Sequence, residues 1–130
     1  MGNPAPVLNN PGFETFTGNT PANWAVDDPG TVTFIDSAVK HGGAVSVRLQ
    51  NTHVSPNKGR ISQSITVTPF RCYKLGAWIK TSNYTHNASI RFYVVGNNNG
   101  RVLWTNRDGG LGRSISATDD WEEYIIDINT

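Results

Sequence analysis

The stretch Tyr73-Lys74-Leu75-Gly76-Ala77-Trp78-Ile79-Lys80 decides the fold class. Tyr73, Leu75, Ala77 and Ile79 alternate with Lys74, Gly76, Trp78 and Lys80. Period two is the repeat of a strand with one face on a core, because successive side chains point to opposite sides of the sheet. Working outward, Val45, Val47 and Leu49 alternate with Ser46, Arg48 and Gln50, and Ile90, Phe92 and Val94 with Arg91, Tyr93 and Val95. Further strands are expected at Thr31–Ile35, Ile61–Val67, Arg101–Thr105 and Glu122–Ile128. Between them lie Asp27-Asp28-Pro29-Gly30, His41-Gly42-Gly43, Ser55-Pro56-Asn57-Lys58-Gly59, Gly96-Asn97-Asn98-Asn99-Gly100 and Asp108-Gly109-Gly110, all of which are turn chemistry. Gly or Pro interrupts almost every longer stretch, and no apolar pattern of period 3.6 appears. The expectation is an all-β chain, an antiparallel β-sandwich of about seven short strands.

Composition narrows the function. The 130 residues fit one ordinary domain, which can bury a core without disulfide or metal. Met1–Val7 is expected to be a flexible lead and residues 8–130 the folded domain. Eleven Lys and Arg against ten Asp and Glu leave a net charge of +1, with no run of like charges. That distribution gives no electrostatic footprint for nucleic acid. No basic amphipathic stretch or long apolar run points to a membrane. Cys72 is the only cysteine and cannot form an intrachain disulfide, and a small buried or half-buried thiol is expected there. Met1–Pro6 has no apolar h-region, so an export signal would have been removed or lie elsewhere.

A series of landmarks runs in order along the chain. Asn9-Asn10-Pro11-Gly12-Phe13-Glu14 is followed by Pro21-Ala22-Asn23-Trp24, by Lys40-His41-Gly42-Gly43-Ala44-Val45-Ser46-Val47-Arg48-Leu49 and by Arg60-Ile61-Ser62-Gln63-Ser64-Ile65. Pro69-Phe70-Arg71-Cys72-Tyr73-Lys74-Leu75-Gly76-Ala77-Trp78-Ile79-Lys80 and Asp120-Trp121-Glu122-Glu123-Tyr124 complete it. The series resembles the jelly-roll carbohydrate-binding modules of the group containing families four, nine, sixteen and twenty-two. The resemblance covers most of the chain, from the Asn9 motif to the last predicted strand.

It implies a jelly roll, binding of polysaccharide or oligosaccharide, and a secreted accessory module in a larger polypeptide that also carries a glycoside hydrolase or polysaccharide lyase. It also implies a structural calcium held by the Glu14 carboxylate and by backbone carbonyls near Gly12 and around His41–Gly43. Such modules continue past the tryptophan strand to a final strand that supplies an aspartate. The chain stops at Thr130, so a longer natural polypeptide is expected.

Sugar recognition needs exposed aromatic rings beside planar polar groups. The alternation sets Trp78 and Lys80, Arg48 and Gln50, and Arg91 and Tyr93 opposite the core faces of their strands. Together they have the composition of a concave glycan-binding face, and its three cations leave acidic glycans in play. Gln63 shares parity with Ile61 and Ile65. It faces ligand only if a bulge turns it, as the resemblance implies, and is otherwise a buried amide requiring partners. Trp104, between two glycine-rich loops, is a candidate rim platform or a core anchor. Trp24 and Trp121 read as plugs at strand starts. His41, His53 and His86 lack zinc spacing. Asn83-Tyr84-Thr85 and Asn87-Ala88-Ser89 match glycosylation acceptors, a pattern common by chance.

Glycoside hydrolysis needs two facing carboxylates. The ten acids fall mainly in predicted loops and strand ends, and no G-x-S-x-G or phosphate loop occurs. A non-catalytic binding module is therefore expected. The alternative is a structural sandwich domain of an extracellular protein, and exposure of Trp78 and Tyr93 on one sheet face discriminates between them.

Overall fold

The computed structural model describes residues 7–52, 54–84, 93–95, 102–105 and 116–130. The Met1–Pro6 lead, His53, His86, Arg91 and the Asn87 acceptor lie outside the described residues. The described residues contain no helix, and every strand pair is antiparallel. The chain is all-β, as its alternation requires. It divides into two compact units, Met1–Thr66 and Val67–Thr130.

In the first unit, β1 (Phe16–Thr17) and β2 (Thr20–Pro21) form a tight hairpin. Its two-residue turn places Gly18 at φ +59°, a conformation that costs glycine little. The strand β3 (Ala25–Val26) pairs with β6 (Ile61–Ser62), and β4 (Thr33–Asp36) with β5 (Ser46–Leu49). The strand β4 begins two residues later than its pattern predicts. The amides of Thr31, Val32 and Thr33 all donate to the Asp28 carbonyl, which winds that segment into a turn. The strand β6 is shorter than Ile61–Val67. On β5, Val45 just before the strand is buried and Val47 half-buried, but Leu49 at the far end is 41% exposed.

The buried apolar side chains of this unit are few, Val32 and Val45 among them, and polar groups do much of the fastening. Asp36 is 6% exposed. Its Oδ1 accepts from the Ala38 and Val39 amides at 2.8 and 2.9 Å, and its Oδ2 pairs with Arg48 Nη1 at 2.9 Å. The Arg48 guanidinium also lies over the Phe34 ring, 5.1 Å from its centroid. Among the described residues, no buried side-chain polar atom lacks a partner.

The second unit is organised by one long ladder. The strand β7 (Cys72–Thr81) pairs with β10 (Asp119–Asn129) in the register Tyr73↔Ile128, Leu75↔Ile126, Ala77↔Tyr124 and Ile79↔Glu122 on one face. Tyr124 and Ile128 are buried there, at 2% and 7% exposure. The far end of the ladder is tied by Thr81 Oγ1, which donates to the Ser116 carbonyl and accepts from the Asp119 amide. The near end is tied by the Phe70 amide on the Thr130 carbonyl and the Thr130 amide on the Arg71 carbonyl. A separate hairpin joins β8 (Tyr93–Val95) to β9 (Val102–Thr105).

The Val39 amide, the Ala38 amide and Arg48 hold the Asp36 carboxyl below its ordinary range, against the opposing effect of burial. A depressed folded-state pKa contributes stability that is complete above the unfolded value, near 3.9, and lost as pH falls through the folded value. Asp36→Asn is expected to cost about 1–2 kcal/mol at neutral pH by removing charge-assisted bonds. The difference in Tm between wild type and Asp36→Asn, followed from pH 7 downward, should shrink below about pH 4. A difference that stays constant to pH 2 would contradict this role.

Candidate functional site

The outer face of the β7–β10 ladder is the candidate site. Burial along β7 alternates strictly from Cys72 to Lys80, with Cys72, Lys74, Gly76, Trp78 and Lys80 outward. This is the parity read from the sequence for Trp78 and Lys80. Cys72 departs from the buried or half-buried expectation. It shares the parity of Lys74 and Trp78 and is exposed at the strand start.

Opposite these residues, Asp127 faces Lys74, Ile125 faces Gly76 and Glu123 faces Trp78. Between Asp119 and Glu122 the register shifts, so Asp120 and Trp121 share the place opposite Lys80. This bulge brings Asp120 Oδ1 to 2.8 Å from Lys80 Nζ. At the other end, Lys74 Nζ lies 3.5 Å from Asp127 Oδ1.

The centre of the face is apolar. Trp78 is 46% exposed and Ile125 is 48% exposed. Gly76 lies two residues from Trp78 on the same side and leaves a shallow gap. A Cβ there would sit 3.6 Å from Ile125 Cγ1 and 3.8 Å from Glu123 Oε1, at ordinary contact distance. The Glu123 carboxylate therefore reaches over Gly76, beside the indole. An indole platform, a gap and an adjacent acceptor suit a ligand with one apolar C–H face and hydroxyls at its rim.

The acids on this face were not legible as site residues, because β10 starts at Asp119 rather than at the predicted Glu122. Asp119 opens the strand, Asp120 lies within it, and Glu122 and Glu123 stand inside it rather than at its start. The signal was present in Glu123, Ile125 and Asp127, which alternate with Tyr124, Ile126 and Ile128.

Glu123 and Asp127 are not spaced as a hydrolytic pair. Glu123 and Asp127 are four residues apart on one strand face, roughly 13 Å at ~3.3 Å per residue. Paired glycosidase carboxylates stand about 5–9.5 Å apart. Asp120 is held below the ordinary carboxylate range by the hydrogen bond from Lys80, then by the Trp121 amide, which is the wrong direction for a general acid.

The other expected residues lie on or beside other strands. Tyr93 pairs with Thr105 and Trp104 with Val94, so the two aromatics occupy different rungs of the β8–β9 hairpin. Their side chains lie outside what is described, and only Trp78 of the discriminating pair can be read as exposed. Arg48, Gln50 and Gln63 belong to the first unit. Arg48 is engaged by Asp36 and Phe34, and Gln50 is exposed just past β5.

Gln63 is half-buried beyond β6. Its Nε2 donates to the Asn9 and Asn23 carbonyls, each at 2.9 Å, and its Oε1 accepts from the Asn9 amide at 2.7 Å. Both of its donors are thus used to join three chain segments, as the partnered-amide reading requires. Trp24 is half-buried, donates from Nε1 to the Asn10 carbonyl and packs on Phe13 with ring centroids 5.2 Å apart. Trp121 is also half-buried.

Glu14, Gly12 and Gly43 come together. A Cβ on Gly12 would lie 3.4 Å from Glu14 Cγ, and one on Gly43, at φ +67°, would overlap Glu14 Oε1. The Glu14 carboxylate accepts from the Ala44 amide at 2.9 and 3.1 Å and from the Val45 amide at 3.5 Å. His41 is exposed in the same loop. Among the described residues, no three His, Cys, Asp or Glu side chains converge, so any cation here would be held by one carboxylate and backbone carbonyls. Such a hard-oxygen set fits calcium and not zinc.

A family model described as a carbohydrate binding domain matches residues 5–129. No curated protein and no solved structure matches the chain. The match takes in nearly the whole sequence, so the chain belongs to this carbohydrate-binding family, and a non-catalytic binding domain is the role that membership supports.

Proposed function

We propose that this member of the carbohydrate binding domain family binds a soluble β-linked polysaccharide, such as a xylan or glucan, on the outer face of its β7–β10 ladder. Trp78 carries the reading: a large indole held outward at mid-strand, beside the Gly76 gap and the Glu123 carboxylate. A sugar ring stacked on the indole buries its C–H face, while Glu123 and neighbouring polar groups accept from its hydroxyls. Affinity per sugar is modest. A module of this kind works by holding an attached glycan-active enzyme at high local concentration near its substrate, in a secreted polypeptide with further domains.

Affinity electrophoresis against a polysaccharide panel tests the site. Wild type is expected to be retarded by xylan or glucan. Trp78→Ala should weaken binding at least about tenfold, which is ~1.4 kcal/mol. Gly76→Val should keep the fold, because a Cβ is accommodated there and β-branched residues suit strands, yet fill the gap and also reduce retardation. Full retardation of both variants would move the binding site off this face.

Calcium at Glu14, with carbonyls near Gly12 and around His41–Gly43, is the companion proposal. Its support is the glycine-lined approach of the carboxylate and the hard-oxygen chemistry of the donors. The ion would cross-link the Asn9–Glu14 segment to the β4–β5 loop. Added calcium should raise Tm in wild type and not in Glu14→Gln. An unchanged wild-type Tm between excess EDTA and millimolar calcium would rule it out.

A further inference from the structure

Eight residues before Trp78 stands a second exposed ring. Phe70 is 95% exposed, in the turn that leads into β7. We infer that Phe70 is a second sugar platform, which contacts the same polysaccharide chain that stacks on Trp78 and favours long chains over short ones. The inference rests on the reading of the outer β7–β10 face as the glycan site.

Pro69 and Phe70 are the central residues of this turn, and Phe70 has φ +57°. A second central position in the left-handed region is where turns place Gly or Asn, because a Cβ is crowded there and a bulky side chain is rare. Phe70 gains almost nothing from burial in return, since its surface is nearly all in water. It therefore opposes the fold twice, through its backbone conformation and through its exposed apolar surface. Strained residues of this kind persist where the surroundings over-determine them, and they cluster at functional sites.

The ladder over-determines the turn. The Thr68 amide donates to the Tyr73 hydroxyl at 2.8 Å, and that hydroxyl donates back to the Thr68 carbonyl at 3.2 Å. Thr130 Oγ1 donates to the same carbonyl at 2.8 Å. The Phe70 amide donates to the Thr130 carbonyl at 2.7 Å, and the Thr130 amide to the Arg71 carbonyl at 3.1 Å. Tyr73 belongs to β7 and Thr130 follows β10, so both strands hold the ring out. A ring preset in this way loses little freedom when a sugar stacks on it. Thr68 and Arg71 beside it are exposed and suit the hydroxyls at the rim of that sugar. Six residues separate Cys72 from Trp78, roughly 20 Å at ~3.3 Å per residue, and the turn lies beyond Cys72. A trisaccharide on the indole stops short of Phe70, whereas a polysaccharide running along the ladder reaches it. The second contact is then intramolecular and raises affinity for the polymer without any change at the indole.

The test is isothermal titration calorimetry of wild type, Phe70→Asn, Phe70→Tyr and Trp78→Ala with a soluble xylan or glucan and with the trisaccharide cut from it. Asparagine suits the left-handed conformation and removes the ring, so the Tm of Phe70→Asn should equal or exceed that of wild type. The expected result is a ratio of polymer affinity to trisaccharide affinity about fivefold or more lower in Phe70→Asn, and near wild type in Phe70→Tyr, which keeps a ring. Trp78→Ala should weaken both ligands. A wild-type ratio in Phe70→Asn, whether both affinities hold or both fall, overturns the role of Phe70 and leaves the outer face as the site. A wild-type dimer in sedimentation that Phe70→Asn dissociates also overturns it, by giving the ring to a second copy of the chain. Full trisaccharide affinity in Trp78→Ala, or binding of neither ligand by wild type, overturns the glycan reading of the face and this inference with it.

Discussion

Tyr124 is 2% exposed on the inner face of the β7–β10 ladder, and its burial fixes what the outer face presents. Burying a large aromatic stabilises by roughly 1.5–3 kcal/mol, and its hydroxyl remains satisfied by Glu122. Because side chains alternate, a slip of one residue between register and core would bring Glu123, Asp127 and Lys74 inward and expose Tyr124 and Ile128. The same constraint that turns half-buried Ala77 inward opposite Tyr124 obliges Trp78 to face out opposite Glu123. Presentation of the indole is a consequence of core packing on the adjacent rung, and the bulge at Asp120–Trp121 is the one place where the ladder relaxes.

The first unit is held differently. With few fully buried apolar side chains, it relies on side chains that close backbone groups of distant segments. Asp36 holds the Ala38 and Val39 amides, Glu14 the Ala44 amide, Gln63 the Asn9 and Asn23 carbonyls, and Asn10 the Thr15 and Ala22 carbonyls. Each leaves donors or acceptors unsatisfied if removed, a cost of about 1–3 kcal/mol per group where burial is high. This explains the chain's modest apolar content of 37%: polar clasps substitute for part of a core. It also accounts for Asn10 and Gln63 without assigning them to a bound sugar.

Much of the fold was legible in the sequence because alternation is a local property. The residues of β7 follow their pattern without exception from Cys72 to Lys80, and Trp78 emerges where parity places it. Cys72 is exposed because strand parity, and not the preference of its residue type for interiors, sets the face it occupies. Legibility failed where hydrogen bonds outside the ladders end a strand. The strand β6 stops at Ser62, beside a Gln63 amide bound to Asn9 and Asn23, and β4 starts late because three amides converge on the Asp28 carbonyl. The partner of Arg48 was equally hidden, since Asp36 meets it only through the β4–β5 pairing. The acids at the start of β10 are illegible as strand residues because the bulge at Asp120–Trp121 breaks the alternation there.

The central claim is that glycan engages the outer face of the β7–β10 ladder and nothing deeper. Nuclear magnetic resonance titration of the labelled protein with a xylo- or gluco-oligosaccharide tests it residue by residue. The account predicts progressive shifts of the Trp78 indole N–H and of the Gly76, Ile125 and Glu123 amides, with the Glu14, Asp36 and Gln63 signals of the first unit unmoved. Shifts confined to the first unit, with the Trp78 indole unchanged at saturation, would contradict it.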